Sequence, residues 1–277
     1  MKSGITRRTI LKAGLTTATG VAGLTAGANP LLALPRQPGE TRVIYLGGDY
    51  WHNAMMQEVR FREVLSPTGW RLMFTQSSQF LTPEAIADTD LLILCRYSGR
   101  DTVGWAPDRM VEERPQGSPF MTDEQEDAIV DNVMNRGMGL MSIHCTVWNG
   151  EREKFMKLIG VEKPYMHTPV QPTLMHKFNE SHVITQGLEE TKFVDDEIFS
   201  ADLTSDAQVL YNLRGEEFPQ DKAGGWVTEM GKGRTVTLLP GHTPHPYHTY
   251  SHKETIWRGA HWAMHRDFPE SSFIHGR

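Results

Sequence analysis

The chain has little cysteine, no excess of positive charge and no long apolar run beyond its first thirty residues. Two cysteines in 277 residues, Cys95 and Cys145, exclude a disulfide-stapled scaffold and leave at most one bridge. Lys and Arg number 28 against 34 Asp and Glu, a formal charge of −6, so nucleic acid is excluded as a partner. No later segment approaches the roughly 20 consecutive apolar residues of a transmembrane helix, and no internal repeat is present. The apolar content is ordinary and suffices for the core of one large domain or two small ones.

The N-terminus has its own pattern. Thr6-Arg7-Arg8-Thr9-Ile10-Leu11-Lys12 sets paired arginines before an apolar run free of acids, the layout of a twin-arginine export signal. Ala13 to Leu24 is too short and too weakly apolar to span a bilayer, and Ala26-Gly27-Ala28 offers a small-residue cleavage site. Residues 1–28 are therefore expected to be a signal handed to the twin-arginine machinery, 29–41 a proline-spotted linker, and 42–270 a body working in the periplasm. Cleavage after residue 28 removes four bases and no acid, moving the charge from −6 to −10.

Along the body, Val43–Leu46 reads as a strand ended by Gly47-Gly48, and Asn53–Leu65 as a helix stopped by Pro67 and Gly69. Arg71–Thr75 and Leu91–Cys95 read as buried strands, and 96–120 as a polar loop with three prolines, suited to a lid. Thr122-Asp123-Glu124-Gln125 has capping-box form and opens a helix to Arg136, ended by Gly137. Leu140–His144 is a strand and Arg152–Ile159 a helix. The second half is strand-rich: 171–178, 193–199, 208–213, 225–230 and 235–239, with a hairpin turn at Gly231-Lys232-Gly233 and a last helix over 254–265. Early alternation and a late meander predict a three-layer, flavodoxin-like α/β fold, its sheet mostly parallel with an antiparallel extension.

In such sheets functional groups gather outside the carboxyl ends of the strands. His52, His144, Glu197 and His242 meet that test; each histidine alone reads more readily as a hydrogen-bonded structural imidazole, and it is their common placement at strand ends that favours a site. Three imidazoles and a carboxylate can bind one divalent ion (zinc, manganese or iron), with His52, His144 and His242 as ligands, or can move protons through His144, Glu197 and His242. Spacing does not decide between the two. His242, His245, His248 and His252 form the densest imidazole cluster, in which Pro244 and Pro246 exclude a regular helix. Trp51, Trp105, Trp148 and Tyr247, with His245, are expected beside the site, where flat aromatic faces suit a sugar ring. Cys145 follows a strand as a nucleophile does but lacks flanking glycines; Met55, Met56, Met134, Met138 and Met141 are expected to fill the core.

Five segments together resemble the ThuA-like proteins (trehalose utilisation): Val43 to His52, Gly139-Leu140-Met141-Ser142-Ile143-His144, Asp196-Glu197-Ile198-Phe199, Pro240-Gly241-His242, and Tyr250-Ser251-His252 with the helix from Ile256 to Ala263. The resemblance spans about residues 42–266 and implies a class I glutamine amidotransferase-like fold. It also implies that His144 stands where amidotransferases carry their cysteine nucleophile, so glutaminase activity is not expected, while a bound divalent metal and sugar catabolism, including keto-glycosides, are. The expected function is a periplasmic, metal-assisted enzyme acting on a small sugar or glycoside. The rivals are a non-catalytic carbohydrate-binding or accessory protein and a cysteine hydrolase using Cys145, and a homo-oligomer stays open.

Overall fold

A computed structural model describes residues 29–49, 51–97, 120–269 and 271. Of the described residues, 29–35 belong to a unit separate from the rest and hold a 3-10 turn, Pro30–Leu32, capped by the Asn29 side chain accepting from the Leu31 amide at 3.0 Å. The main unit starts at Arg36 rather than Arg42. The cause is electrostatic. Arg36 reaches the carboxylate of Asp90 and the carbonyl of Glu40, and the Glu40 carboxylate meets Arg71 at 3.0 Å and the buried Arg42 at 3.3 Å. The second half of the expected linker is thus built into the body. The signal segment and most of the expected lid, 98–119, lie outside the described residues.

Within the main unit the elements run β1 (Arg42–Gly47), α1 (Ala54–Leu65), β2 (Arg71–Thr75), α2 (Pro83–Ala87), β3 (Leu91–Cys95), α3 (Asp123–Asp131), β4 (Gly139–Ile143) and α4 (Glu153–Leu158). They continue with β5 (Val161–His167), β6 (Gln171–His176), β7 (Thr191–Asp196), β8 (Phe199–Leu203), β9 (Gln208–Gly215), β10 (Lys222–Met230), β11 (Gly233–Leu238) and α5 (Tyr250–Ala263). Among the described residues, nine strands make one sheet in the order β2-β1-β3-β4-β11-β10-β9-β6-β7. Its first five strands are parallel and the rest pair antiparallel, while β5 and β8 form a separate two-stranded ribbon. This is the expected three-layer α/β architecture.

The two faces are separated by β11. Thr235 and Thr237 hydrogen-bond the carbonyls of Leu158 and Ile159 at the end of α4, whereas Val236 packs against Gly259 of α5. Alternation along a strand sends neighbours to opposite faces, so α4 and α5 cover different sides. Leu91 to Leu94 are wholly buried between them, each contributing about 1.5–3 kcal/mol of apolar burial.

Several local expectations are corrected. β2 is only half-buried, because it is the sheet's edge. The run 193–199 is two strands in two sheets: β7 ends at Asp196, whose side chain is held by another loop, and the chain turns through Glu197 and Ile198 before β8. β5 escaped notice because Pro164 breaks its pattern; it sits at a register shift in the ribbon, where a missing amide is tolerated. The capping box of Thr122 and Gln125 forms, and α3 passes into a π-helical turn over Asn132–Arg136 before left-handed Gly137. α5 begins at Tyr250, four residues early. Met138 and Met141 are in the core, but Met55 is 73% and Met134 39% exposed.

Candidate metal and sugar site

The carboxyl ends of β1, β3, β4 and β11 open into one cleft of about 370 Å³. After β1 the chain turns at Gly48, φ 82°, where a Cβ would stand 2.3 Å from that of Ala54, so only glycine fits. The turn delivers Asp49, which is buried and accepts from the amides of Trp51 (2.8 Å), His52 (3.1 Å) and Tyr97 (2.8 Å). Burial pushes the Asp49 carboxyl up, but His52 and these amides outweigh it and hold the group below its ordinary range. An ionised Asp49 only accepts, so His52 Nδ1, 2.7 Å away, donates to it, and in the neutral ring Nε2 is the nitrogen left to act as a ligand.

His144 follows β4 with φ 50°, a left-handed conformation costing about 1–3 kcal/mol that persists only where surroundings impose it. Its Nδ1 donates to the Leu239 carbonyl at 2.8 Å, which leaves Nε2 without a proton. That nitrogen is buried, makes no hydrogen bond among the described residues, and lies 3.5 Å from Glu197 Oε2. Burial pushes the His144 pKa down to about 4, so the ring is neutral at neutral pH.

His242 is set by Asp196, which accepts from the amides of Gly241 (3.0 Å), His242 (3.0 Å) and Thr243 (3.3 Å). Burial drives the Asp196 carboxyl up to about 7 against those amides. Glu197 sits at the break between sheet and ribbon, with Oε2 3.2 Å from His242 Nδ1. Burial would raise its pKa; the pairing with His242 instead holds it well below the carboxylate range, and the same pairing raises His242. The three imidazole centroids are 5.1, 5.3 and 5.4 Å apart, a nearly equilateral triangle. One ligand atom from each of His52, His144, Glu197 and His242 lies within 4.8 Å of all the others.

This donor set fits a divalent ion. Two imidazoles are anchored through Nδ1 to a carboxylate and a carbonyl, the outer support seen around metal-binding histidines, and the buried Nε2 of His144 has no hydrogen-bond partner among the described residues.

The sequence-derived residues separate as follows. Trp51, 49% exposed, and Trp148 line the cleft as expected, joined by Tyr97, His167 and Phe199. Tyr247 does not: it is buried, its ring against Phe61 and His252. His245 binds Asp195 at 2.5 Å and does not line the cleft. His248 belongs to the 3-10 turn Pro246–His248 and is exposed. Trp105 lies outside the described residues. Cys145 faces the cleft, but burial pushes its thiol up and Asp49 Oδ2 lies 3.9 Å from its sulfur, surroundings that oppose a thiolate nucleophile. Both cysteines are free, so the bridge left open by the sequence is not formed. Asp49 and His167 are the polar site residues that sequence reasoning passed over, beside the rings of Tyr97 and Phe199. The first was readable as a carboxylate three positions before His52; the second was hidden with β5.

His252 is buried in the first turn of α5, with neither ring nitrogen hydrogen-bonded among the described residues. Burial pushes its pKa down from 6.5 to about 3. The folded value lies below the unfolded one, so its stability contribution is complete above the unfolded value and is lost as pH falls toward the folded one. His252→Phe is expected to remove about 2 kcal/mol of acid sensitivity at pH 5, read as a smaller drop in Tm between pH 7 and pH 5 than in the wild type.

The family model described as trehalose utilisation, ThuA, matches residues 42–263. The chain belongs to the ThuA family. Among solved structures, this ThuA-family chain shares its fold with a ThuA-like protein of Bacteroides uniformis ATCC 8492 at TM-score 0.61 and 18% identity, covering 81% of this chain and 91% of that one. A ThuA-like protein of Parabacteroides merdae ATCC 43184 aligns at TM-score 0.61 and 15% identity, covering 83% and 94%. No curated protein sequence matches.

Proposed function

We propose that this ThuA-family protein is a metal-assisted enzyme acting on a small sugar or glycoside, with keto-glycosides as the preferred class, and that it works in the periplasm. The observation that carries the metal is the buried Nε2 of His144, without a hydrogen bond among the described residues, within a ring of His52, Glu197 and His242. When bound there, a divalent ion supplies Lewis-acid polarisation of a sugar carbonyl or hydroxyl. Asp49 and the Leu239 carbonyl keep His52 and His144 in the ligand tautomer. Glu197 turns Oε2 toward the imidazoles and keeps Oε1 for the proton that leaves or joins the sugar. Trp51 and Trp148 take the apolar face of the ring and exclude water.

The test is to incubate metal-loaded protein with a methyl 3-ketoglucoside in deuterated water and follow proton NMR. Deuterium uptake beside the carbonyl, or methanol release, abolished by a chelator, is the expected result; the same turnover after complete removal of metal would contradict the reading. For export, Arg7→Lys with Arg8→Lys is expected to leave the unprocessed chain in the cytoplasm, checked by cell fractionation and the mass of the purified protein. An unchanged distribution would rule out the twin-arginine route.

A further inference from the structure

The four-group centre leaves one imidazole of the cleft unused. His167 ends β5 and pairs in register with Phe199, the first residue of β8, so the ribbon places it beside Glu197. Its Nδ1 is 3.9 Å from Glu197 Oε1, the oxygen turned away from His144 and His242. Whereas His52 and His144 are buried, the His167 side chain is 51% exposed. The ring is nonetheless held, stacked on Phe199 at 5.3 Å and 26° and meeting Trp148 edge-on at 5.7 Å. Its Nε2 makes no hydrogen bond among the described residues.

An imidazole fixed between two aromatic rings, with a free nitrogen at a cleft wall, is suited to reading a ligand rather than to holding the fold. The neighbouring Trp148 and Phe199 give the apolar platform; His167 Nδ1 faces the Thr168 carbonyl at 3.4 Å and Glu197 Oε1, so Nε2 and Oε1 stand side by side as acceptors for the O–H groups of adjacent ring hydroxyls. We propose that His167 is the specificity residue of the site, hydrogen-bonding one ring hydroxyl of a neutral pyranoside whose face lies on the Trp148–Phe199 wall. The assignment rests on the sugar reading above. It does not need the metal.

The test is calorimetric titration of metal-loaded wild type, His167→Ala and His167→Gln with methyl glucopyranoside and its monodeoxy analogues. In the wild type, one deoxy analogue should bind about tenfold more weakly than the parent. His167→Ala should bind the parent as weakly as that analogue and no longer distinguish the two, and His167→Gln should recover part of the difference. A folded His167→Ala protein with wild-type discrimination would overturn the proposal, as would wild type that binds none of these pyranosides. Should the alanine variant not fold, by circular dichroism, His167→Gln carries the same test, and wild-type affinity and discrimination in it would overturn the proposal. Unchanged discrimination in metal-free wild type is expected, and it would leave His167 standing even if the turnover test above removed the metal reading.

Discussion

Glu197→Gln is expected to weaken divalent-metal binding by more than about 100-fold and to stop turnover, while the protein stays folded. Glu197 would be the one anionic ligand of the four, and its pairing with His242 already holds its carboxyl well below the ordinary range. A neutral amide offers the ion a weaker oxygen and no charge, and turns an NH₂ toward His144 or His242, whose own lone pairs are needed for the metal. The side chain is nearly isosteric, so the loss reports charge rather than shape. Competition against a chromogenic chelator measures it; an affinity within threefold of wild type would remove Glu197 from the ligand set.

The second large effect is expected one step further from the ion. Asp49→Asn should lower metal affinity about 10- to 100-fold, the usual consequence of losing the partner that orients a ligating histidine. Asp49 accepts from three amides and from His52 Nδ1 at once. Oδ1 takes His52 Nδ1 with the Trp51 and His52 amides and Oδ2 takes the Tyr97 amide, so an asparagine with its one acceptor oxygen either leaves His52 and those two amides facing an NH₂ or leaves the Tyr97 amide unpaired, at about 1 kcal/mol for each lost bond. The signature separating this from general destabilisation is a variant whose metal affinity falls while its metal-free Tm shifts by only a few degrees. Unchanged affinity would show that His52 does not need its tautomer fixed.

The parallel half of the fold was legible because its signals are local. Val43–Leu46 and Leu91–Cys95 are short apolar runs bounded by turn residues, and Thr122 with Gln125 states its helix start in four letters. The ribbon was not legible: β5 carries a proline and an alternation that its two-stranded pairing, not its sequence, makes into a strand. The site followed the same division. His52, His144 and His242 could be grouped because each follows a strand of the parallel core, where topology forces convergence. His245 and His252 share the sequence neighbourhood of His242 but not its direction, since Asp195 captures one and α5 carries the other into the core. Tyr247 failed for a related reason: proximity in sequence to a site residue says nothing about which side of the sheet end a ring enters. Glu197 was found despite a wrong strand boundary, because the break that displaced it from the sheet is what turns its carboxylate into the triangle of imidazoles.

The most direct test of the metal centre is elemental analysis of protein purified without chelator, beside a His144→Ala, His242→Ala double variant. The account predicts about one equivalent of zinc, manganese or iron in the wild type and none above background in the folded variant. A metal-free wild type that still turns over a sugar, or a variant retaining the full equivalent, would contradict it.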